Sequence, residues 1–160
     1  MKITPLTPSH WPDVERIYQE GIESNQATFE TTTPSWYDWD KNHLDECRFV
    51  TIDNGIVVAW AALLPVSTRA VYSGVAEESI YITKSHWGKG IGYMLLSHLI
   101  SISERKGIYS LQAVLFPENL ASVRLHEKCG FRKIGFKRKI AQRNGIWRDT
   151  VLYEKRSEII

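Results

Sequence analysis

The chain has 160 residues, a formal net charge of +2 and 43% hydrophobic residues, which is enough for one domain, residues 1–160, but not for two. The near-neutral charge and the lack of a long basic run argue against a nucleic-acid-binding module, and no apolar stretch is long enough to span a bilayer. Cys47 and Cys129 lie far apart without metal-ligand spacing, which indicates free thiols in a reducing, cytoplasmic environment and no metal site.

The first half of the chain alternates between strand and helix patterns. Pro8 opens a predicted helix with an apolar stripe, and Ser35 can cap a second helix that runs to about Asp45. The sequence Asp53-Asn54-Gly55 joins two apolar runs, which is a strong hairpin signal. The predicted strands of this half are Lys2–Leu6, Arg48–Ile52, Ile56–Leu64 and Ala76–Thr83, with an irregular polar segment over 25–34.

The second half continues the alternation. A helix with Ile91, Leu95 and Leu99 on one face runs to Gly107, and Asn119 can cap a short helix that ends before the terminating glycine, Gly130. The predicted strands are Tyr109–Leu115, Phe131–Ile140 and Ile146–Glu154, the last two joined by a second Asn-Gly turn. The order β-α-α-β-β-β-α-β-α-β-β predicts an α/β fold with a mixed central sheet and flanking helices.

The most informative motif lies between a predicted strand and a predicted helix, where Gly88, Gly90 and Gly92 occupy alternate positions. Glycine reaches positive φ cheaply, so successive backbone N–H groups can converge on an anion at the positive end of the helix. Lys89 adds a positive charge. It is not followed by Ser or Thr as in a Walker loop, and Tyr93 breaks the dinucleotide pattern. The motif predicts a pyrophosphate-binding loop, although a plain glycine-rich turn has the same local pattern.

Several motifs together resemble the GNAT N-acetyltransferases, and within them the branch of phosphinothricin and methionine sulfoximine acetyltransferases. The matching segments span nearly the whole chain and are Asn25–Thr31, Arg69–Tyr72, Glu77, Trp87–Gly92, Asn119–Ser122, Leu125–Phe131 and Gly145–Asp149. The resemblance implies the GNAT acyl-CoA N-acyltransferase fold and transfer of an acetyl group from acetyl-CoA to the primary amine of a small amino-acid-like molecule, in a homodimer. Trp87 departs from the Gln or Arg common in the superfamily, and His126 replaces a common tyrosine.

The resemblance assigns the cofactor-binding residues. The loop is expected to bind the pyrophosphate through its backbone, and the edge of the preceding strand is expected to bind the amide-bearing arm of coenzyme A by β-augmentation. Asn119 can offer its side-chain amide to the same arm, or serve only as a helix cap. The expected cofactor-binding residues are Ile80, Tyr81, Ile82, Gly88, Lys89, Gly90, Ile91, Gly92, Tyr93 and Asn119.

Acetyl transfer requires a base, because a primary amine is protonated near neutral pH. A partly dry carboxylate with a raised pKa can serve, and Glu77 and Glu78 are the candidates. Strand alternation places them on opposite faces, and the pattern alone does not choose between them. The resemblance implies Glu77 as the base and Glu78 near the acceptor. His126 could protonate the departing thiolate or simply pack in the core.

The acceptor is expected to bind Arg69 and Tyr72, since an arginine can pair with a carboxylate or phosphinate, although an exposed loop cation looks the same in sequence. Phe29 and Glu30 are expected to form the far wall, and Asp149 to order the last hairpin or a dimer contact. Two alternatives remain open. The acceptor could be a protein N-terminus or a polyamine, or the chain could be a non-catalytic acyl-CoA sensor, which would need no carboxylate at position 77.

Overall fold

A computed structural model of the chain describes residues 1–160 as one seven-stranded mixed sheet with helices on both faces. The strands are β1 Lys2–Pro5, β2 Arg48–Asp53, β3 Ile56–Pro65, β4 Val75–Ile82, β5 Ser110–Leu115, β6 Arg132–Arg143 and β7 Ile146–Arg156. The helices are α1 Trp11–Glu23, α2 Trp36–Asn42, α3 Ile91–Arg105 and α4 Leu120–Lys128. The spatial order is β1-β2-β3-β4-β5-β7-β6, and the predicted chain order of elements is confirmed.

Strand β3 divides the interior into two hydrophobic clusters. Ala61 and Leu63 pack with the buried face of α3, whereas Trp60 and Ala62 pack with α1 and with Trp39 of α2. Because side chains alternate along a strand, these two sets point to opposite faces of the sheet. The central strand is therefore covered on both sides, which explains its almost uninterrupted apolar sequence.

Both predicted Asn-Gly hairpins form. Asn54 and Gly55 have φ values of 49° and 81°, and Asn144 and Gly145 have 51° and 78°, the positive values that a tight two-residue hairpin turn requires. In the second hairpin, Lys139 also has positive φ, at a shift in the pairing of β6 with β7. Its N–H donates to the Asp149 carboxylate at 2.7 Å, so Asp149 orders this hairpin.

The predicted end of the second helix is wrong. Helix α2 ends at Asn42, not near Asp45, because the chain already extends at His43. The next residue is held beside β3, because the Leu44 N–H donates to the Leu63 carbonyl at 2.8 Å.

The sheet opens between β4 and β5. These strands pair in parallel only over Val75–Glu77 and Ser110–Gln112. Beyond that point β4 pairs with β3 alone and β5 with β7 alone. The edge of β4 from 78 to 82 therefore faces a wedge-shaped opening towards the end of β5, and we call this opening the cleft. Separately, no helix is both long enough and apolar enough to cross a membrane.

Candidate active site

The glycine loop joins the end of β4 to the start of α3. Gly88 and Gly90 have φ values of 74° and 78°, and both are exposed, a conformation that glycine adopts without strain. None of the backbone N–H groups from Gly88 to Tyr93 donates to another group of the chain. They lie at the positive end of the 15-residue helix α3. The loop therefore has the unpaired donors and the helix dipole that an anion such as pyrophosphate requires.

Two further contacts shape this loop. The Trp87 indole N–H donates to the carbonyl of Ile82, the last residue of β4, at 2.9 Å. Trp87 thus connects the loop to the strand, although the residue is 58% exposed. At Gly92, an added Cβ would lie 3.0 Å from side-chain atoms of both Ile82 and Leu125. Only glycine leaves these neighbours in place, so the first turn of α3 packs closely on β4 and α4.

A cavity of about 690 Å³ lies on the α1 and α2 side of the sheet, next to the cleft. Tyr18, Trp60 and Tyr81 form an aromatic cluster along it, and the Trp60 and Tyr81 rings stack with centroids 4.8 Å apart. Phe29 lies in the wall and packs edge-on against Phe116 at 4.9 Å. We call this space the acceptor cavity.

The acceptor cavity is acidic. Its lining residues include Glu30, Asp38, Glu77 and Glu78, and none of them is a lysine or an arginine. The lining therefore favours a positively charged group such as an ammonium.

Glu77 faces the acceptor cavity. The pairing of β3 with β4 has no irregularity, so Glu77, Ser79 and Tyr81 share one face of the strand, and all three line the cavity. Burial raises the pKa of the half-buried Glu77 carboxyl, and the neighbouring Glu78 raises it further. A carboxylate of this kind can accept a proton from an amine.

Glu78 and His126 form a buried pair beside the cleft. The Glu78 Oε1 atom lies 2.5 Å from His126 Nε2, and His126 Nδ1 lies 2.6 Å from the Ser122 carbonyl oxygen. Burial alone lowers the pKa of His126, but Glu78 and the Ser122 carbonyl outweigh it, so the pKa of His126 is raised. The second carboxylate oxygen, Glu78 Oε2, is buried and has no hydrogen-bond partner in the chain.

Comparison with known proteins identifies the family to which a chain with this loop and sheet belongs. The profile of the acetyltransferase (GNAT) family matches residues 11–131. The chain belongs to this family. The predicted fold is thereby confirmed, and so is the prediction of an acetyl-CoA-dependent N-acetyltransferase.

Individual relatives point to the predicted branch. An L-methionine sulfoximine/L-methionine sulfone acetyltransferase of Salmonella typhimurium is 30% identical over 126 residues, which are 78% of this chain and 73% of the relative. A phosphinothricin N-acetyltransferase of Streptomyces viridochromogenes is 28% identical over 163 residues, with 99% and 89% covered. The crystal structure of a GNAT phosphinothricin acetyltransferase from Sinorhizobium meliloti in complex with acetyl-CoA has a TM-score of 0.85 at 25% identity, covering 99% of this chain and 94% of that one.

Other predicted site residues have internal partners in this GNAT protein. The Asn119 side chain caps α4 by accepting from the Ser122 N–H at 3.2 Å and donates to the Gln26 carbonyl at 3.0 Å. Arg69 and Tyr72 are exposed and contact each other, with the guanidinium 5.4 Å from the ring centroid. Neither lines the acceptor cavity, so the structure does not bring them together with Glu77, and their role stays a prediction.

Sequence reasoning missed Arg143, which holds a wall of the acceptor cavity. Its buried guanidinium donates to the Ile22 carbonyl at 2.5 Å, the Asn25 side chain at 2.8 Å and the Glu30 carbonyl at 2.8 Å. The arginine lies at the end of β6, 121 positions after Ile22. The one sequence signal was Asn25, a residue type that tolerates the left-handed conformation found there (φ 59°) and so marks a fixed turn.

Proposed function

We propose that this GNAT enzyme acetylates the primary amine of a small amino-acid-like molecule of the phosphinothricin or methionine sulfoximine type, by direct attack on acetyl-CoA in a ternary complex. One observation carries the proposal: the open edge of β4 has an anion site at one end, Gly88–Tyr93, and the half-buried carboxyl of Glu77 at the other. The named relatives support the acceptor class.

The chain offers a complementary surface for each part of coenzyme A. The N–H groups of Gly88–Tyr93 would bind the pyrophosphate, with Lys89 adding charge. The unpaired edge at Ile80–Ile82 would pair with the amides of the arm, as an added strand pairs with a sheet. Asn119, beside the cleft, keeps one N–H of its side-chain amide for the same arm. The thioester carbonyl carbon of acetyl-CoA is the electrophile that this arrangement brings beside Glu77.

The chemistry then needs little from the protein. Glu77 accepts one proton from the ammonium, the nitrogen attacks the carbonyl carbon, and the C–S bond breaks with its electron pair leaving on sulfur. The nitrogen then loses a second proton to become an amide, and that proton balances the charge of the thiolate to give the free thiol of coenzyme A. A general base contributes about 10²–10⁴ in rate, and orientation of the two substrates several kcal/mol more. The thiolate needs the least help, because the reference pKa of a thiol is only about 8.5.

A second acceptor class is favoured by the charge of the acceptor cavity. Its lining has acidic side chains and no lysine or arginine, which suits an amine without an anionic group, such as a polyamine or a peptide N-terminus. Arg69, the side chain expected to bind a carboxylate, does not line this cavity. The two acceptor classes therefore differ in whether removing the Arg69 charge weakens binding of the acceptor.

A thiol-release assay with acetyl-CoA separates the acceptors. The panel contains phosphinothricin, methionine sulfoximine, methionine sulfone, ordinary amino acids, diamines and short peptides. We expect the first three to be fastest. If no amine releases thiol while acetyl-CoA still binds, the chain is a sensor and the proposed activity fails.

Arg69→Gln tests the acceptor class within the same assay. Loss of a charge-assisted bond should raise KM for an amino acid about tenfold or more and leave KM for the decarboxylated amine unchanged. Arg138→Gln, an exposed arginine on β6, is the matched control. Equal KM values for Arg69→Gln and wild type would favour the amine class without a carboxylate. We also expect a homodimer, which light scattering coupled to gel filtration measures directly.

A further inference from the structure

The proposed reaction leaves one buried pair without a role, Glu78 and His126. They come from β4 and α4, 48 positions apart in sequence, and their side chains are 2% and 1% exposed. Burying two ionisable groups is costly unless their polar atoms are bonded. The hydrogen bonds of the pair show which of its polar atoms have a partner and which atom lacks one.

The protons of the pair can be assigned from its partners. A carbonyl oxygen only accepts, so His126 Nδ1 must donate to Ser122. When the ring is protonated, Nε2 donates to Glu78 Oε1. In that state both N–H groups of His126 are engaged within the protein. Direct donation from His126 to a departing sulfur would break one of these bonds, which favours a lining role over an acid role.

The remaining atom of the pair is Glu78 Oε2. It is buried and lacks a donor, a condition that costs free energy and is rare for a carboxylate oxygen. Glu78 lines both the acceptor cavity and the cleft, and it is the first residue of β4 after pairing with β5 ends at Glu77. An N–H donor delivered to this junction would complete its hydrogen bonds.

We propose that Glu78 Oε2 accepts an N–H of the acceptor's ammonium group, and that His126 is the positioning residue that holds Glu78 in place and balances its charge. This inference rests on the proposed function and deepens it. An ammonium is the donor best suited to a carboxylate, because the bond is charge-assisted. Glu77 and Glu78 then have different tasks at one amine: Glu78 anchors it and Glu77 takes its proton.

The contact is tested by equilibrium binding to the protein loaded with coenzyme A, so that no turnover occurs. The probes are L-methionine sulfone, or the panel amine that is acetylated fastest, and the matched compound in which a hydroxyl replaces the amine. Glu78→Gln should raise the Kd of the amine on the order of tenfold to a hundredfold and change that of the hydroxyl compound less than about threefold. Glu127→Gln, which alters a carboxylate one residue beyond His126 that is bonded to Tyr153, should change neither.

Other binding results overturn the proposal. An equal loss for the amine and the hydroxyl compound, or no loss for either, removes the ammonium contact. Weakened acetyl-CoA binding with unchanged amine binding would assign Oε2 to the arm of the coenzyme instead. Steady-state kinetics should agree, with Glu78→Gln raising the acceptor KM far more than it lowers kcat.

The positioning role of His126 is tested by a double-mutant cycle. His126→Asn and Glu78→Gln should each weaken amine binding, and the double variant should be no weaker than the worse single variant within about twofold. If the losses of amine affinity in the two single variants multiplied in the double variant, the residues would act independently and the paired role would be overturned.

A measurement on the wild type covers the case in which a variant does not fold. The ¹⁵N signal of His126 Nε2 should shift when the amine binds to the coenzyme-loaded protein and not when the hydroxyl compound binds; identical spectra would contradict the contact. If the wild type releases thiol and these tests fail, only the Glu78 contact is wrong. If the wild type acetylates no amine, the proposed function itself fails.

Discussion

The glycine loop and the acceptor cavity are two binding regions built in opposite ways. The loop uses consecutive backbone N–H groups from Gly88 to Tyr93, and its neighbours in space are its neighbours in sequence. The cavity is lined by residues of α1, α2, β3, β4, β5, β7 and the segment between the first two helices. A backbone site tolerates many side chains provided that its glycines remain, whereas a side-chain site changes with each substitution. The cofactor end of a GNAT enzyme can therefore stay constant while the acceptor end varies.

The largest expected effect is that of a substitution in the acceptor cavity, at Glu77. Glu77→Gln should lower kcat by about 10²–10⁴, because the amide cannot accept the proton of the ammonium. Burial and then Glu78 raise the pKa of Glu77, and the base works only when ionised. Activity of the wild type should therefore rise with pH through a value above the ordinary carboxyl range of about 4.

Steady-state rates across pH, with calorimetry for acetyl-CoA, check this expectation. The variant should lose the acidic limb of the kcat/KM profile and keep its affinity for acetyl-CoA. If Glu77→Gln kept the acidic limb at the same pH, the limb would have to arise from the ionisation of a different group.

The next effect concerns the backbone region and has a matched control. Gly90 and Gly145 both have φ of 78°, and a Cβ at either would meet nothing within 4 Å. Alanine at each should therefore cost only the left-handed conformation, roughly 1–2 kcal/mol of unfolding free energy. Gly90→Ala should in addition weaken acetyl-CoA binding about tenfold, because alanine disfavours the left-handed conformation that lets the neighbouring N–H groups converge on one anion.

Thermal unfolding and acetyl-CoA titration of both variants separate stability from binding. Gly145→Ala should match Gly90→Ala in stability and bind like the wild type. Equal affinities for the two variants would show that the loop geometry is not what binds the coenzyme.

The smallest expected effect concerns Trp87, which connects the glycine loop to the end of β4. Trp87→Phe keeps an aromatic ring but removes the N–H that bonds to Ile82, worth about 1 kcal/mol. Acetyl-CoA binding should weaken a few-fold while the acceptor KM stays constant. Trp147→Phe, at an equally exposed tryptophan on β7, should leave both values unchanged. A larger change in the acceptor KM would mean that the two regions are coupled through β4.

What the sequence predicts well is local. The Asn-Gly turns, the glycine-terminated helices and the glycine loop each depend on residues a few positions apart, and all of them form as expected. The alternation of Glu77 and Glu78 also holds, because no irregularity interrupts the pairing of β3 with β4.

What the sequence does not predict depends on contacts between distant elements. Nothing near Gln112 indicates that β4 and β5 separate after that residue, since each strand keeps a partner on its other side. The bond between Glu78 and His126 likewise requires knowing where α4 lies against β4. In the same way, nothing in the sequence around Arg143 indicates that its side chain binds the distant segment from Asn25 to Glu30.

The hydrogen bonds of Arg143 have a consequence for the order in which the protein folds during synthesis. The segment from Asn25 to Glu30 leaves the ribosome more than a hundred residues before Arg143, the residue whose guanidinium holds that segment in place. A ribosome-bound fragment that stops before residue 143 should therefore lack a fixed wall for the acceptor cavity. Recognition of an amine should require the hairpin that carries Arg143.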